Sequence, residues 1–427
     1  MNRSERRPVV SLPMTVAGHA DLPSGVRRIL VVEAGPIDPE TNAGDRACAD
    51  LLEGLVAIGA EVRFHGLGSR GSADARLLSA MRSRNPQIEF SLNETDLAVV
   101  LDQERFDAVI VSRPGAAVLC GPALAAKPEL VRVFWGHDLH SRRLAAQQST
   151  RGDLGERRAS LMAMVEARNW EIFDLSVYPA SNEVEVVNEL VPGNGVACPY
   201  YRLRDVDLAA ASPERNLGLH ERLGILMVGS HLHAPNADAV DWTVNEILPL
   251  IRADHPEVSL TVVGDWSRSD RQMWERPGVR FTGVVSEEDL RRLHHEHVCL
   301  LAPLRFGGGT KRKVVAAMGL GLPVVTTDEG QRGVLVRDGR GQPDGISLGN
   351  DPDSLASAVR RLHSDGEFWS RMSTAARNAV AQVYGSGAFD QALSDILSRA
   401  VANRDQRLRS SQDAGAVLLP PPSQAGA

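Results

Sequence analysis

Apolar residues arrive in two rhythms that alternate along the chain. Short runs, RRILVVE (27–33), EVRFHG (61–66), DAVIVS (107–112), LVRVFWG (130–136), DLSVYPA (174–180) and GVACP (195–199), have the length and β-branched content of strands. Between several of them the apolar positions recur at helical spacing, as in ACADLLEGLVAIG, which stops at Gly59. Strand, helix and strand in repetition predict a parallel sheet with helices on both faces. The pattern weakens after Pro199, in YYRLRDVDLAAASPERNLGLHERLG, and then resumes. GILMVGS (224–230), VSLTVVGD (258–265), GVRFTG (278–283), VCLLAPL (298–304) and LPVVTT (322–327) predict a second series, with a helix over 238–251 introduced by Pro235-Asn236. LASAVRRLHS, WSRMSTAARNAVAQVY and FDQALSDILSRAVAN predict closing helices. The expected organisation is two Rossmann-like doubly wound α/β domains, residues 27–210 and 211–385, then a C-terminal helix over 386–403. Residues 1–26 are expected as a disordered leader, and the polar, proline-rich 404–427 as a disordered tail.

Composition narrows the function classes. The 427 residues are 43% hydrophobic and 24% charged, an ordinary globular balance, and the formal net charge is −7. No basic field favours nucleic acid as a partner. No run of 18 apolar residues predicts a spanning helix. Cys48, Cys120, Cys198 and Cys299 form no C-x-x-C pair and are expected as reduced, buried thiols of a cytoplasmic protein.

One segment carries the most chemistry: VCLLAPLRFGGGTKRKVVAAMGLGLPVVTT, residues 298–327. A strand ending at Leu304 runs into Arg305, then Gly307, Gly308, Gly309 and Thr310, then a helix with Lys311 and Lys313 in its first turn. Glycines between a strand and a helix N-terminus let backbone N–H groups approach an anion. Cations in a helix's first turn oppose its dipole, unless they answer a bound anion. The plainer alternative is a tight turn with solvated basic residues. The spacing G-x-x-x-x-G-K-[ST] is absent.

PLRFGGGTKRKVVAAMGLGLPVVTT resembles the donor-binding segment of the GT-B fold, group 1 (family-four) retaining glycosyltransferases, in their PLRFG-type branch. ILMVGSHLHAPNADAVDWTVNEILPLI looks like the opening of that family's C-terminal domain, and LTVVGD and VRFTGVVSEEDLRRL follow in its order. VFWGHDLHSRRL and EIFDLSVYPASNEVEVV are similar to its N-terminal half. The resemblance implies two domains facing across a cleft, with FDQALSDIL crossing back to the first. The C-terminal domain would hold a UDP- or GDP-sugar through Gly229, Ser230, Gly283, Arg305, Gly307, Gly308, Gly309, Thr310, Lys311 and Lys313. The N-terminal domain would take the acceptor hydroxyl, with His137 meeting the donor sugar. No metal or other cofactor is implied. The chain departs from the family where two glutamates are replaced by Gly308 and Ala316, and where an Arg and a Lys are replaced by Ser230 and Pro235.

Other features read two ways. His137, in GHDLH, can face a site or sit beside Asp138, a good helix N-cap. The long turn AGPIDPETNAGDRA offers Gly44, Asp45 and Arg46 as cleft-loop residues, or it is a surface loop capped at Asn42 or Asp45. His231-x-His233 and HHEH (294–297) lack the supporting ligands of a metal site. The expected activity is hexosyl transfer with retention. The alternatives are a non-catalytic nucleotide-sugar or glycan-binding relative and a nucleotide-sugar epimerase. Peripheral membrane contact and oligomeric state stay open.

Overall fold

The computed structural model describes residues 20–39, 43–92, 96–147, 153–204, 217–334 and 345–417. Most of the expected leader, the Asn42 cap and the end of the expected tail lie outside the described residues.

The chain divides into two compact units. The first comprises the chain through Ser141, Asp153–Cys198 and everything from Asp390 onward; the second comprises Arg142–Gly152 and Pro199–Phe389. The first unit holds a seven-stranded sheet. Its strands are β1 (Arg28–Glu33), β2 (Glu61–Gly66), β3 (Glu89–Leu92), β4 (Ala108–Ser112), β5 (Val131–Trp135), β6 (Leu175–Tyr178) and β7 (Gly195–Ala197). Their order is β3-β2-β1-β4-β5-β6-β7, and every pairing is parallel. Strands β4, β5 and β6 are buried at every position, because helices cover both faces. That double burial is why they read as continuous apolar runs and not as alternation.

The second unit repeats the scheme with β8 (Leu223–Val228), β9 (Leu260–Val263), β10 (Val279–Gly283), β11 (His297–Ala302), β12 (Val324–Thr326) and β13 (Ile346–Leu348). The order is β10-β9-β8-β11-β12-β13, again parallel. In each sheet the winding reverses next to its first strand, between β1 and β4 and between β8 and β11. Open α/β sheets bind ligands beyond the carboxyl ends of strands at such reversals.

Three differences from the sequence expectation have physical causes. Strands β3 and β13 were not expected: EFSL and ISL are short edge strands, too brief to show a period. The switch between units falls at Cys198/Pro199, not 210/211. Leu203 joins the second unit by donating its N–H to Tyr384 O at 2.7 Å. Finally, the expected disordered tail from 404 is helical as far as Val417, as part of one helix, Ser386–Val417. Its first half docks on an apolar stripe that includes Phe389, Leu393, Ile396, Leu397 and Ala400. Beyond Asn403 the attachment is ionic instead. Arg407 donates from Nε to Asp174 Oδ1 at 2.7 Å and from its other nitrogens to Pro128 O and Leu130 O. The Asp174 side chain is 1% exposed. A polar segment held this way gives no apolar signal in the sequence.

Candidate functional site

The second unit gathers most of the expected donor residues at the ends of β8 and β11. Strand β8 leads into Gly229 and Ser230. Gly229 has φ +158°, and a Cβ there would lie 2.5 Å from the Asn236 side chain. Its bareness lets Asn236 close over the strand end. Asn236, 9% exposed, donates from Nδ2 to Ser230 O at 2.9 Å and accepts from Lys313 Nζ at Oδ1, 2.5 Å away. Trp266 Nε1 donates to Gly229 O at 2.6 Å. A narrow pocket opens here, lined by Gly229, Asn236, Trp266, Ala302, Leu304 and Lys313 among others.

The three expected phosphate cations have different fates. Arg305 clamps Asp238 with two nitrogens, Nε at 2.9 Å, and lies 5.0 Å over the Trp242 ring. Its charge fastens the loop to the helix Ala234–Trp242. Lys311 is 7% exposed and turns inward. Its ammonium donates to Gly309 O at 3.0 Å and Gly308 O at 3.4 Å, and pairs with Glu329 Oε1 at 3.4 Å. It therefore shapes the glycine loop, in which Gly307 and Gly309 take positive φ, +148° and +60°. The helix starts at Arg312, with Lys311 as its N-cap, slightly later than expected. Lys313, half-buried, has no carboxylate partner among the described residues. Burial and the nearby Lys311 charge push its pKa down to about 8. Both causes penalise its charge in the free protein, and a bound anion would relieve them.

The remaining donor candidates are placed as follows. Thr310 Oγ1 donates to Gly333 O at 2.8 Å, and Thr310 O accepts from Tyr201 at 3.3 Å. Ser230 Oγ accepts from Leu232 N–H at 3.3 Å. Gly308 and Ala316 are half-buried. Gly283 ends β10, two strands away from β8, with open space where a Cβ would stand.

In the first unit a charged network sits where β1 and β4 end. Glu33 and Asp45 are 2% and 0% exposed. Arg113 bridges them, Nε to Glu33 Oε1 and Nη2 to Asp45 Oδ1, both at 2.7 Å. Arg70 reaches Asp45 Oδ2 at 2.7 Å, and Asp38 N–H donates to the same oxygen at 2.8 Å. Asp45 is thus an internal anchor for the turn after β1. Arg46 is likewise buried, paired with Asp50 at 2.9 Å. Gly44 lies half-buried near the start of the helix Ala43–Ala57. Burial raises the Glu33 pKa, with Arg113 opposing it. Arg113 has φ +73°, the one positive φ of a non-glycine among the described residues. It went unnoticed in the sequence; an Arg between a buried strand and Pro114 was the only available signal.

His137 follows β5, with Nε2 2.8 Å from Ser112 Oγ. Burial, then Arg113, pushes its pKa down to about 3. Near neutral pH it is an uncharged imidazole that can exchange hydrogen bonds but cannot act as a cation. The helix His140–Gln147 has its first N–H groups satisfied by Glu166, from His140 N at 2.6 Å and Ser141 N at 3.4 Å. Asp138 pairs with His140 at 3.0 Å.

His294 Nδ1 meets Leu290 O and His297 Nδ1 meets Leu293 O, both at 2.7 Å, and burial lowers both pKa values to about 4. His231 stacks 5.4 Å from Trp266. All four cysteines are buried, and none forms a disulfide. No helix among the described residues is long and apolar enough to cross a membrane.

Residues 222–365 match the family model described as glycosyl transferases group 1. An uncharacterised 44.6 kDa protein in the cps region of Klebsiella pneumoniae is 22% identical over 122 residues, which is 27% of this chain and 31% of that protein. The chain therefore spans under a third of that relative's length. Among solved structures, Anabaena HepE in complex with UDP is similar with a TM-score of 0.62 at 14% identity, over 87% of this chain and 99% of that one. A Rickettsia africae glycosyltransferase gives 0.63 at 12%, over 88% and 99%. Sucrose-phosphate synthase of Thermosynechococcus elongatus gives 0.58 at 15%, over 90% and 100%. Residues 222–365 thus resemble the glycosyl transferases group 1 family, and the chain shares the two-domain α/β (GT-B) fold of these solved structures.

Proposed function

We propose that the chain is a retaining hexosyltransferase that moves a sugar from a nucleoside diphosphate sugar to an acceptor hydroxyl. The observation that carries this is Lys313. It is a half-buried ammonium without a carboxylate partner among the described residues. It stands beside a glycine loop at the sheet's winding reversal, inside the segment that matches the family. Negative charge grows on the departing diphosphate during transfer. Lys313 and the loop N–H groups from Gly307 to Thr310 would stabilise it there. Lys311 and Arg305 would act indirectly, by holding the loop. His137 would hydrogen-bond the transferring sugar as a neutral group. Anabaena HepE was solved with UDP and with UDP-glucose, which makes uridine the first base to try here.

The test is to incubate the protein with UDP- and GDP-sugars, with and without a mixture of hydroxyl acceptors, and to follow nucleoside diphosphate release. Acceptor-dependent release with a sugar-bearing product is the expected result. The second reading, a binding-only relative, rests on Gly308 and Ala316 in place of two glutamates; it expects nucleotide-sugar binding with no release. An epimerase would convert the donor without any acceptor.

A further inference from the structure

At the opposite edge of the second sheet, three metal-ligating side chains converge. His255 and Glu257 lie in the turn between the helix Leu248–Arg252 and β9, and His363 lies in the last turn of the helix Pro352–Ser364. That turn precedes β9, whereas the glycine loop follows β11, so the cluster lies at the amino ends of strands that carry the candidate donor site at their carboxyl ends. His255 Nδ1 is 3.4 Å from Glu257 Oε1, and His363 Nε2 is 3.8 Å from the same oxygen. The three ligand atoms lie within 4.8 Å of one another. With metal–ligand bonds of about 2.0–2.1 Å, the edge of a tetrahedron is about 3.4 Å. Two of the three edges are already near that length.

We propose that His255, Glu257 and His363 form a surface site for a divalent transition metal of the zinc class, which staples the turn before β9 to the helix Pro352–Ser364. Two imidazoles and one carboxylate favour zinc, copper or nickel over magnesium or calcium, which prefer oxygen. Ser364 Oγ lies 3.1 Å from His255 Nε2. Accepting a hydrogen bond from Nε2–H, it would leave Nδ1 as the ligand nitrogen, the kind of support a metal-bound histidine usually receives. The two backbones are held in place independently of any ion. Arg360 donates to Leu250 O at 3.0 Å and pairs with Asp254 at 3.1 Å. The rings are packed 4.9 Å apart. Glu257 is 59% exposed at the side chain, so the fourth position faces water.

The experiment titrates zinc calorimetrically into the metal-free full chain, and follows melting temperature with zinc and with a chelator. Cobalt(II) is loaded as a spectroscopic stand-in. We expect one ion per chain, a higher melting temperature with zinc, and the intense visible absorption of four-coordinate cobalt. The variants His363→Ala and Glu257→Ala should each weaken zinc binding at least tenfold and lose the cobalt band. Glu257 is exposed, so its variant keeps the fold if the histidine variant does not. No saturable binding by the parent chain, or equal binding by Glu257→Ala and the parent, would overturn the site.

Discussion

Lys313 Nζ lies 2.5 Å from Asn236 Oδ1, and the amide that receives it donates in turn to Ser230 O at 2.9 Å. The asparagine orientation is fixed by these two partners, because only Nδ2 can donate and only Oδ1 can accept. The ammonium is thereby aimed across the end of β8. Asn236→Ala frees it to other rotamers and removes one hydrogen bond. The expected result is UDP binding weakened about tenfold, the scale of one such bond. Calorimetric titration reads it, and unchanged affinity would show that Lys313 needs no help from Asn236.

Arg113 joins two buried carboxylates from a backbone conformation that costs about 1–3 kcal/mol. Arg113→Ala should leave Glu33 and Asp45 without that partner and destabilise the protein by about 3–5 kcal/mol. Arg113→Gly should lose less, because glycine accepts φ +73° without strain. Urea unfolding compares the two. Equal stabilities would remove the strain argument, and near-native stability of both would remove the network argument.

Deletion of everything after Asn403 should be costly. Asp174 would lose Arg407 and keep the bond from Arg132 N–H at 2.9 Å. A loss of about 3 kcal/mol is expected, read as a fall of roughly 6–12 °C in melting temperature. Arg407→Ala alone should reproduce much of it. A truncated chain that melts with the parent would show that the extension is dispensable.

His137→Ala should cut turnover by about tenfold or more while UDP affinity barely changes, if the imidazole meets the sugar mainly in the transition state. With its pKa at about 3, the imidazole adds no inflection to the pH–rate profile between pH 5 and 8. The sign for stability follows from the same shift. The folded pKa lies below the ordinary 6.5, so the unfolded chain binds the proton first as pH falls. His294 and His297, at about 4, act in the same direction. Stability should therefore drop progressively from pH 6.5 to 4, as measured by urea titration across that range. A flat profile would contradict the burial of these rings.

The two sheets were legible because double-sided burial writes an uninterrupted apolar run into each central strand, as in AVIVS of β4 and HVCLLA of β11. Edge strands and the end of the last helix escaped because ionic and backbone contacts leave no periodicity; Arg407 looks like any surface arginine. At the candidate site the glycine loop was readable from spacing, but the division of labour among its cations was not. Arg305 is drawn off by Asp238, 67 positions earlier, and Lys311 by Glu329, 18 positions later. Such pairings depend on the winding of the sheet and have no local signature. Arg113 was invisible for the same reason, since Glu33 lies 80 residues before it.

The most direct test of the account titrates UDP, with GDP in parallel, into the parent chain and into Lys313→Met across the pH range 7 to 9, in buffers of different ionisation enthalpy. In the free protein Lys313 titrates at about 8. A bound diphosphate favours its charged form and raises that value. The account predicts that the nucleotide binds the parent with uptake of protons above pH 8, and that affinity falls as pH rises through that point. Lys313→Met should bind at least about tenfold more weakly with no such uptake, the loss of a charge-assisted contact being worth about 1.5–3 kcal/mol. Equal affinities for parent and variant, or nucleotide binding without proton uptake, would contradict the central claim that Lys313 holds the donor diphosphate.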